Sequence, residues 1–226
     1  MQRRHVSIFL VGSTIALGRA ARAAEASNAD AATGIRVALE RGANAAVALL
    51  GRPDGFLGNP RVRIPLPGFL NEAAKVLRFT GQQQRVDDLV TAMNRAAEAA
   101  VPEAKALLVA AVKSISVGDA RRIVSGGDDS VTRFFAEKTR APLTQRFLPI
   151  VKRHTERVDL AARFNAVAGK VASLGLVHGD DANIERYVTG KALDGLYLMI
   201  GDEEKKIRSD PVGTGSAILA KVFGGR

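Results

Sequence analysis

The residues best placed to do chemistry are Asn94 and Glu98, with Arg95 bordering them. Asn94 and Glu98 stand one helical turn apart beside the apolar stripe of Val90 to Ala97, so their side chains share a face. A polar pair at the edge of a buried face is either a structural network or the lining of a pocket. General acid/base chemistry would need two carboxyls of differing environment around one cavity. Glu98 with Asp194 or Asp128 is the combination that could supply them, in a hydrolase-type enzyme.

Other chemistries find less support. His154 falls in register with Phe147, Val151 and Val158, which places it at a core edge. His178, Asp180 and Asp181 could face a cation, but without a second histidine at helical spacing they read more simply as a turn with a helix cap. Ser125-Gly-Gly-Asp128-Asp129 precedes a helix, whose N-terminus favours anions. Two aspartates there would repel phosphate, so capping is the better reading. The sequence has no Gly-x-Ser-x-Gly, no His-Glu-x-x-His and no EF-hand spacing. With no cysteine, disulfides, thiolate chemistry and Cys-based metal sites are all excluded. No catalytic residue, metal ligand or cofactor is therefore assigned. Glu203, Glu204, Lys205 and Lys206 with Arg208 read as the solvated end of a helix.

Helices must position these residues. Ile35, Leu39, Ala43, Ala46 and Leu50 recur in steps of three and four, and Gly51-Arg-Pro53 stops that helix. Residues 51–67 read as an ordered loop carrying Phe56 and Leu57, because Pro60, Pro65 and Pro67 disfavour sheet. Helical spacing returns at Leu70, Ala73, Ala74 and Leu77, closed by Gly81. A long segment follows from Val86 to Val101, and Pro102 kinks or restarts it. Ser116-Val-Gly-Asp119 resembles a capping box. Asp128 or Asp129 caps the next helix, and Pro142 suits the start of a longer one that Pro149 should bend. Gly175 to Asp181 reads as a loop. Thr189 caps a final long helix ended by Asp210-Pro211, and Thr214 to Phe223 is a short closing helix. No segment alternates with period two. The expectation is an all-α, single-domain bundle of roughly seven to nine helices over residues 33–226, with 24–32 a loose polar tail.

The N-terminus carries an address. Met1 to His5 is basic, Val6 to Leu17 is apolar, and Ala21-Arg-Ala23 is a small-x-small cleavage site. That order marks a secretory signal peptide over residues 1–23 and implies a periplasmic protein. The apolar run covers only ~18 Å, too little for a ~30 Å bilayer core. No later segment is apolar enough to span a membrane. Loss of four leader arginines takes the net charge from +10 to +6. The remaining charge favours anionic surfaces such as phospholipid headgroups, while the lack of a basic cluster interleaved with aromatics argues against nucleic acid.

Local phrases then carry a resemblance. Gly55-Phe-Leu-Gly-Asn59, Ile64-Pro-Leu-Pro67, Leu77-Arg78 and Met93-Asn-Arg-Ala-Ala-Glu98 occur in order. Asp119-Ala120, Gly126-Gly-Asp-Asp129, Tyr187-Val-Thr189, Ala192-Leu-Asp-Gly195 and Glu204-Lys-Lys-Ile-Arg208 follow them. Over roughly Gly34 to Gly224 the chain resembles the bacterial domain of unknown function 4197 family of envelope proteins. The resemblance implies export and a helical body, and brings no reaction. It nominates Asn94, Arg95, Glu98, Asp128, Asp129, Thr189 and Asp194 as polar positions for ligand binding. The expected function is a binding or interaction module of the cell envelope. Its partner would be another envelope protein or an amphiphile held between helices, with the hydrolase as the alternative.

Overall fold

Phe56, Phe135 and Phe147 are fully buried at the centre of the protein, and the helices are arranged to enclose them. The computed structural model describes residues 14–127, 129–158, 161–162, 164–165 and 183–210. No strand occurs among the described residues, in agreement with the all-α expectation. The loop expected over 175–181, His178 and the closing helix expected over 214–223 lie outside them.

Helix α1 runs Thr14–Leu50 and buries Ile35, Leu39, Ala43, Ala46 and Leu50, the stripe that the spacing marks. It is helical across residues 24–32, where the sequence reading places a loose tail. The segment is rich in alanine, the strongest helix former, and Ala32 at its end is buried. Loop 51–67 follows, then a short 3-10 turn at Gly68–Leu70 and α2 over Asn71–Phe79. Gly81 ends α2 with φ of 77°. The Gln82 N–H reaches back to the Leu77 carbonyl at 2.7 Å and the Gly81 N–H to that of Arg78 at 3.2 Å, a Schellman motif.

Helix α3 spans Gln83–Ala100. Pro102 sits in a 3-10 turn, Val101–Glu103, that leads into α4, Ala104–Lys113. Helix α5, Val117–Ser125, opens with the expected capping box, in which Ser116 and Asp119 exchange hydrogen bonds. Those bonds from Ser116, with Arg122 adding to them, hold the Asp119 carboxyl far below the usual carboxylate range.

Helix α6 is one helix, Ser130–Thr155, with Pro142 and Pro149 both inside it. The expected restart at Pro142 does not occur. A proline deletes one backbone bond and crowds the carbonyl four residues back, costing ~3 kcal/mol in an isolated helix. Here Pro149 faces solvent and Pro142 is half-buried, so the orphaned carbonyls lie on the wetter side. Leu143, Phe147 and Val151 are fully buried on the other side and hold the helix through the break.

Helix α7 runs Ile184–Ser209 and starts at Asn183, whose side chain accepts the Arg186 N–H at 2.9 Å. Thr189 is therefore not its cap but an interior residue. Asp129 does occupy the cap position of α6, yet makes no capping bond and pairs with Arg133 at 3.1 Å. Helices α3, α6 and α7 pack on one another, α1 lies across α7, α4 and α5, and a single apolar cluster runs through all of them.

Close approach to α7 depends on missing side chains. A Cβ on Gly195 would lie 2.8 Å from Cε1 of Phe56 and 3.3 Å from Cβ of Val62, both in loop 51–67. Gly195→Ala is expected to lower the urea midpoint by an overpacking cost of ~1–3 kcal/mol. Gly190→Ala, where a Cβ meets nothing within 4 Å, should be neutral or stabilising by up to ~1 kcal/mol. Equal effects at the two positions would show that the loop does not rest on α7 as described.

Candidate functional site

Loop 51–67 buries Phe56, Val62, Ile64 and Leu66, and its backbone enters neither helix nor sheet. Buried backbone N–H and C=O groups need partners. Asn94 and Glu98, one turn apart on α3, supply them. Asn94 is fully buried. Its Oδ1 accepts the Ile64 N–H at 2.8 Å, and its Nδ2 donates to the Ile64 carbonyl at 2.9 Å and to the Val90 carbonyl at 2.8 Å. The amide thus pairs with a residue of the loop as a neighbouring strand would.

Glu98, also buried, holds the other end of the loop. Its Oε1 accepts the N–H groups of Phe56 at 3.0 Å and Leu57 at 3.1 Å. Its Oε2 accepts Nη1 of Arg95 at 2.7 Å. The second Arg95 nitrogen donates to Asp54 at 2.8 Å. Asp54 has a φ of 62°, a left-handed conformation rare outside glycine, and it starts the turn that presents Phe56 to the core. From α7, the Tyr187 hydroxyl donates to the Pro65 carbonyl at 3.1 Å, and Asp202 pairs with Arg61.

Three of the seven nominated residues therefore meet in one network: Asn94, Arg95 and Glu98. Asp194 does not join them. It pairs with Arg140 of α6 at 2.7 Å, and Arg140 lies 5.2 Å from the centre of the Tyr197 ring. Burial pushes the Tyr197 phenol up, while its bond to Thr139 opposes the shift. Thr189 is buried in α7 with no hydrogen-bond partner for its hydroxyl among the described residues. Asp129 is exposed beside Arg133, and Asp128 lies outside the described residues.

The Glu98 carboxylate has both oxygens occupied, one by two backbone N–H groups and one by a guanidinium. What this network can do is fasten a loop.

Sequence reasoning missed a second buried carboxylate. Glu204 is 4% exposed, not part of a solvated helix end. Its Oε1 accepts from Arg208 at 2.7 and 2.9 Å and from Ser130 at 3.3 Å. Arg208 also donates to the Ile123 carbonyl at 2.7 Å, joining α5, α6 and α7. The spacing of Ile200, Glu204 and Ile207 was the available signal, since all three fall on one stripe. Burial raises the Glu204 pKa against the opposing pull of Arg208.

Two cavities lie away from this network. One of ≈ 400 Å³ is lined by Lys152, Glu156, Asn165, Glu185 and Arg186 among others, and one of ≈ 300 Å³ by Asp119, Arg122, Ser130 and Arg133 among others. In the first, Asn165 donates to both oxygens of the buried Glu185, at 3.1 and 2.9 Å. Among the described residues no three His, Asp or Glu side chains cluster as a metal site would require.

The class defined so far is an all-helical protein in which Asn94, Arg95 and Glu98 brace a buried loop. The chain belongs to the family described as protein of unknown function (DUF4197), whose model matches residues 25–224. No curated protein and no solved structure matches it.

Asn94→Leu leaves both Ile64 backbone groups buried without partners and is expected to cost ~2–4 kcal/mol in urea unfolding. A cost within ~0.5 kcal/mol of zero, the usual surface value, would remove Asn94 from its bracing role. Glu204 yields a pH signature. An acid whose folded pKa is raised adds stability fully present below its unfolded pKa, and that stability is lost as pH rises through the folded pKa. The wild type should therefore gain stability relative to Glu204→Gln as pH falls toward the ordinary glutamate value of 4.5. Parallel pH profiles for the two proteins would contradict this.

Proposed function

We propose that this protein is exported to the bacterial envelope and works there by binding rather than by transforming a substrate. The observation that supports binding most directly is the state of Glu98, the best acid/base candidate. Both of its oxygens already accept hydrogen bonds, from the Phe56 and Leu57 N–H groups and from Arg95, which commits the carboxylate to the loop. Asp194, its expected catalytic partner, is engaged separately with Arg140. Export is supported by the order of basic start, apolar run and small-x-small site in residues 1–23. The core positions described on α1, from Ala32 to Leu50, lie beyond the expected cut at Ala23, so cleavage would take none of them. The partner on this reading is another envelope protein or an amphiphile held between helices.

The chain produced in a Gram-negative host should be recovered from the periplasm with the mass of residues 24–226. Native mass spectrometry with lipid extraction should find a retained amphiphile or an envelope protein. Recovery from the cytosol with the leader intact would end the export reading. A clean monomer that retains no lipid and enriches no envelope protein would end the binding reading.

A further inference from the structure

The outer side of α2 carries the most exposed apolar side chains among the described residues. Phe79 is 94% exposed and Val76 is 62% exposed. They are three residues apart and so share a face. The inner side of the same helix is already served, since Ala74 is buried and Leu77 is packed against the core. Val76 and Phe79 are thus surplus to folding. Scattered exposed apolar residues are ordinary, but this pair sits among cations. Between Arg61 and Arg85 the sequence holds five Lys or Arg and one acidic residue, Glu72. Arg63, Lys75, Arg78 and Arg85 are exposed; Arg61 pairs with Asp202 and Arg85 donates to Gln82. The next acids, Asp87 and Asp88 on α3, accept hydrogen bonds from Gln83 and Gln84.

The geometry points to α2 as a docking surface for an anionic lipid bilayer, with Phe79 and Val76 entering the headgroup boundary and Lys75 and Arg78 at the phosphates. Long cationic side chains keep their charge in the polar layer while an adjacent apolar side chain goes deeper. Each cation near an anionic surface adds attraction that salt screens. A second copy of the chain is a poorer occupant. A two-fold interface on this face would bring Lys75 and Arg78 of both copies together, and like charges in contact oppose association. Two apolar side chains also fall well short of the ~800 Å² per partner that a stable protein interface buries. This inference goes beyond the partners named above, an envelope protein or an amphiphile between helices, and rests on the binding reading only for its meaning in the cell.

The chain contains no tryptophan, so Phe79→Trp in the full-length protein places one fluorophore on α2. Its emission should shift to the blue with vesicles containing phosphatidylglycerol and stay unchanged with phosphatidylcholine alone. Raising the salt to about 0.5 M, where the Debye length is under ~5 Å, should reverse the shift. In vesicle sedimentation, Phe79→Ala should weaken partitioning about tenfold, the scale of burying one large apolar side chain, with an unchanged circular dichroism spectrum. Lys75→Glu with Arg78→Glu should weaken it at least as much. The proposal is overturned if the tryptophan emission ignores anionic vesicles. It is also overturned if Phe79→Ala sediments like wild type, as it would if the leader made the contact. A third contrary result is a wild-type dimer that Phe79→Ala dissolves, which would identify a second copy as the occupant. Because the vesicle test does not depend on export, a cytosolic location with a positive shift would sink only the export reading, and a periplasmic location with no shift only this one.

Discussion

The hydrogen-bonded pair between the Asn94 amide and the backbone of Ile64 is the contact on which the rest of the structure leans. Loop 51–67 is rich in glycine and proline and forms no ladder of its own, yet it places four apolar side chains in the core. Such a segment can be buried only if something replaces water at its peptide groups. Asn94 does this at Ile64, and Glu98 does it one turn later at Phe56 and Leu57. Without them, burying Phe56 and Ile64 would strand peptide groups in an apolar interior, where each unsatisfied group costs ~1–3 kcal/mol. The apolar contacts of the loop exist because the polar ones do.

Those polar contacts also select a register. Val86, Leu89 and Met93 fill the first half of the α3 face that meets the core, and the second half is alanine, with Ala96, Ala97 and Ala100 fully buried and Ala104 continuing the series after the turn. Alanines are interchangeable. Along that second half, shifting by one turn changes the packing volume little, so dispersion there distinguishes the two positions weakly. Directional bonds from Asn94 and Glu98 to fixed points on the loop remove that degeneracy. Gly195 plays the matching part on α7, since only a residue without a Cβ lets Phe56 and Val62 come so close. The loop is thereby located from both sides, by hydrogen bonds from α3 and by a steric gap in α7.

The sequence carried the helices better than the site. Apolar spacing locates α1, α3 and α7, and the Ser116–Asp119 box opens α5 where the pattern places it. Local signals failed where distant contacts decide. Pro142 reads as the start of a new helix, but burial of Leu143, Phe147 and Val151 carries α6 through it. The start of α7 is misplaced because Thr189 reads as its cap, whereas the Asn183 side chain accepts the Arg186 N–H. Asn94 and Glu98 were legible as a pair on one face. Their partners were not, because Ile64 and Phe56 lie 30 and 42 residues away and contribute backbone rather than a readable side chain.

A chain with this arrangement has a constraint on where new chemistry can reside. Its buried polar groups, at Glu98, Asn94, Glu204 and Glu185, each hold together elements far apart in sequence. Changing any of them for a ligand contact would expose an unsatisfied group on the opposite element, so their type is fixed by folding before any question of function. The surface carries no such obligation. An exposed aromatic such as Phe79 makes no contribution to the core that would account for its size. The two groups of residues therefore bear different kinds of evidence. The buried polar positions report how this chain folds, and residues whose character folding leaves unexplained are the places to look for contacts with something else.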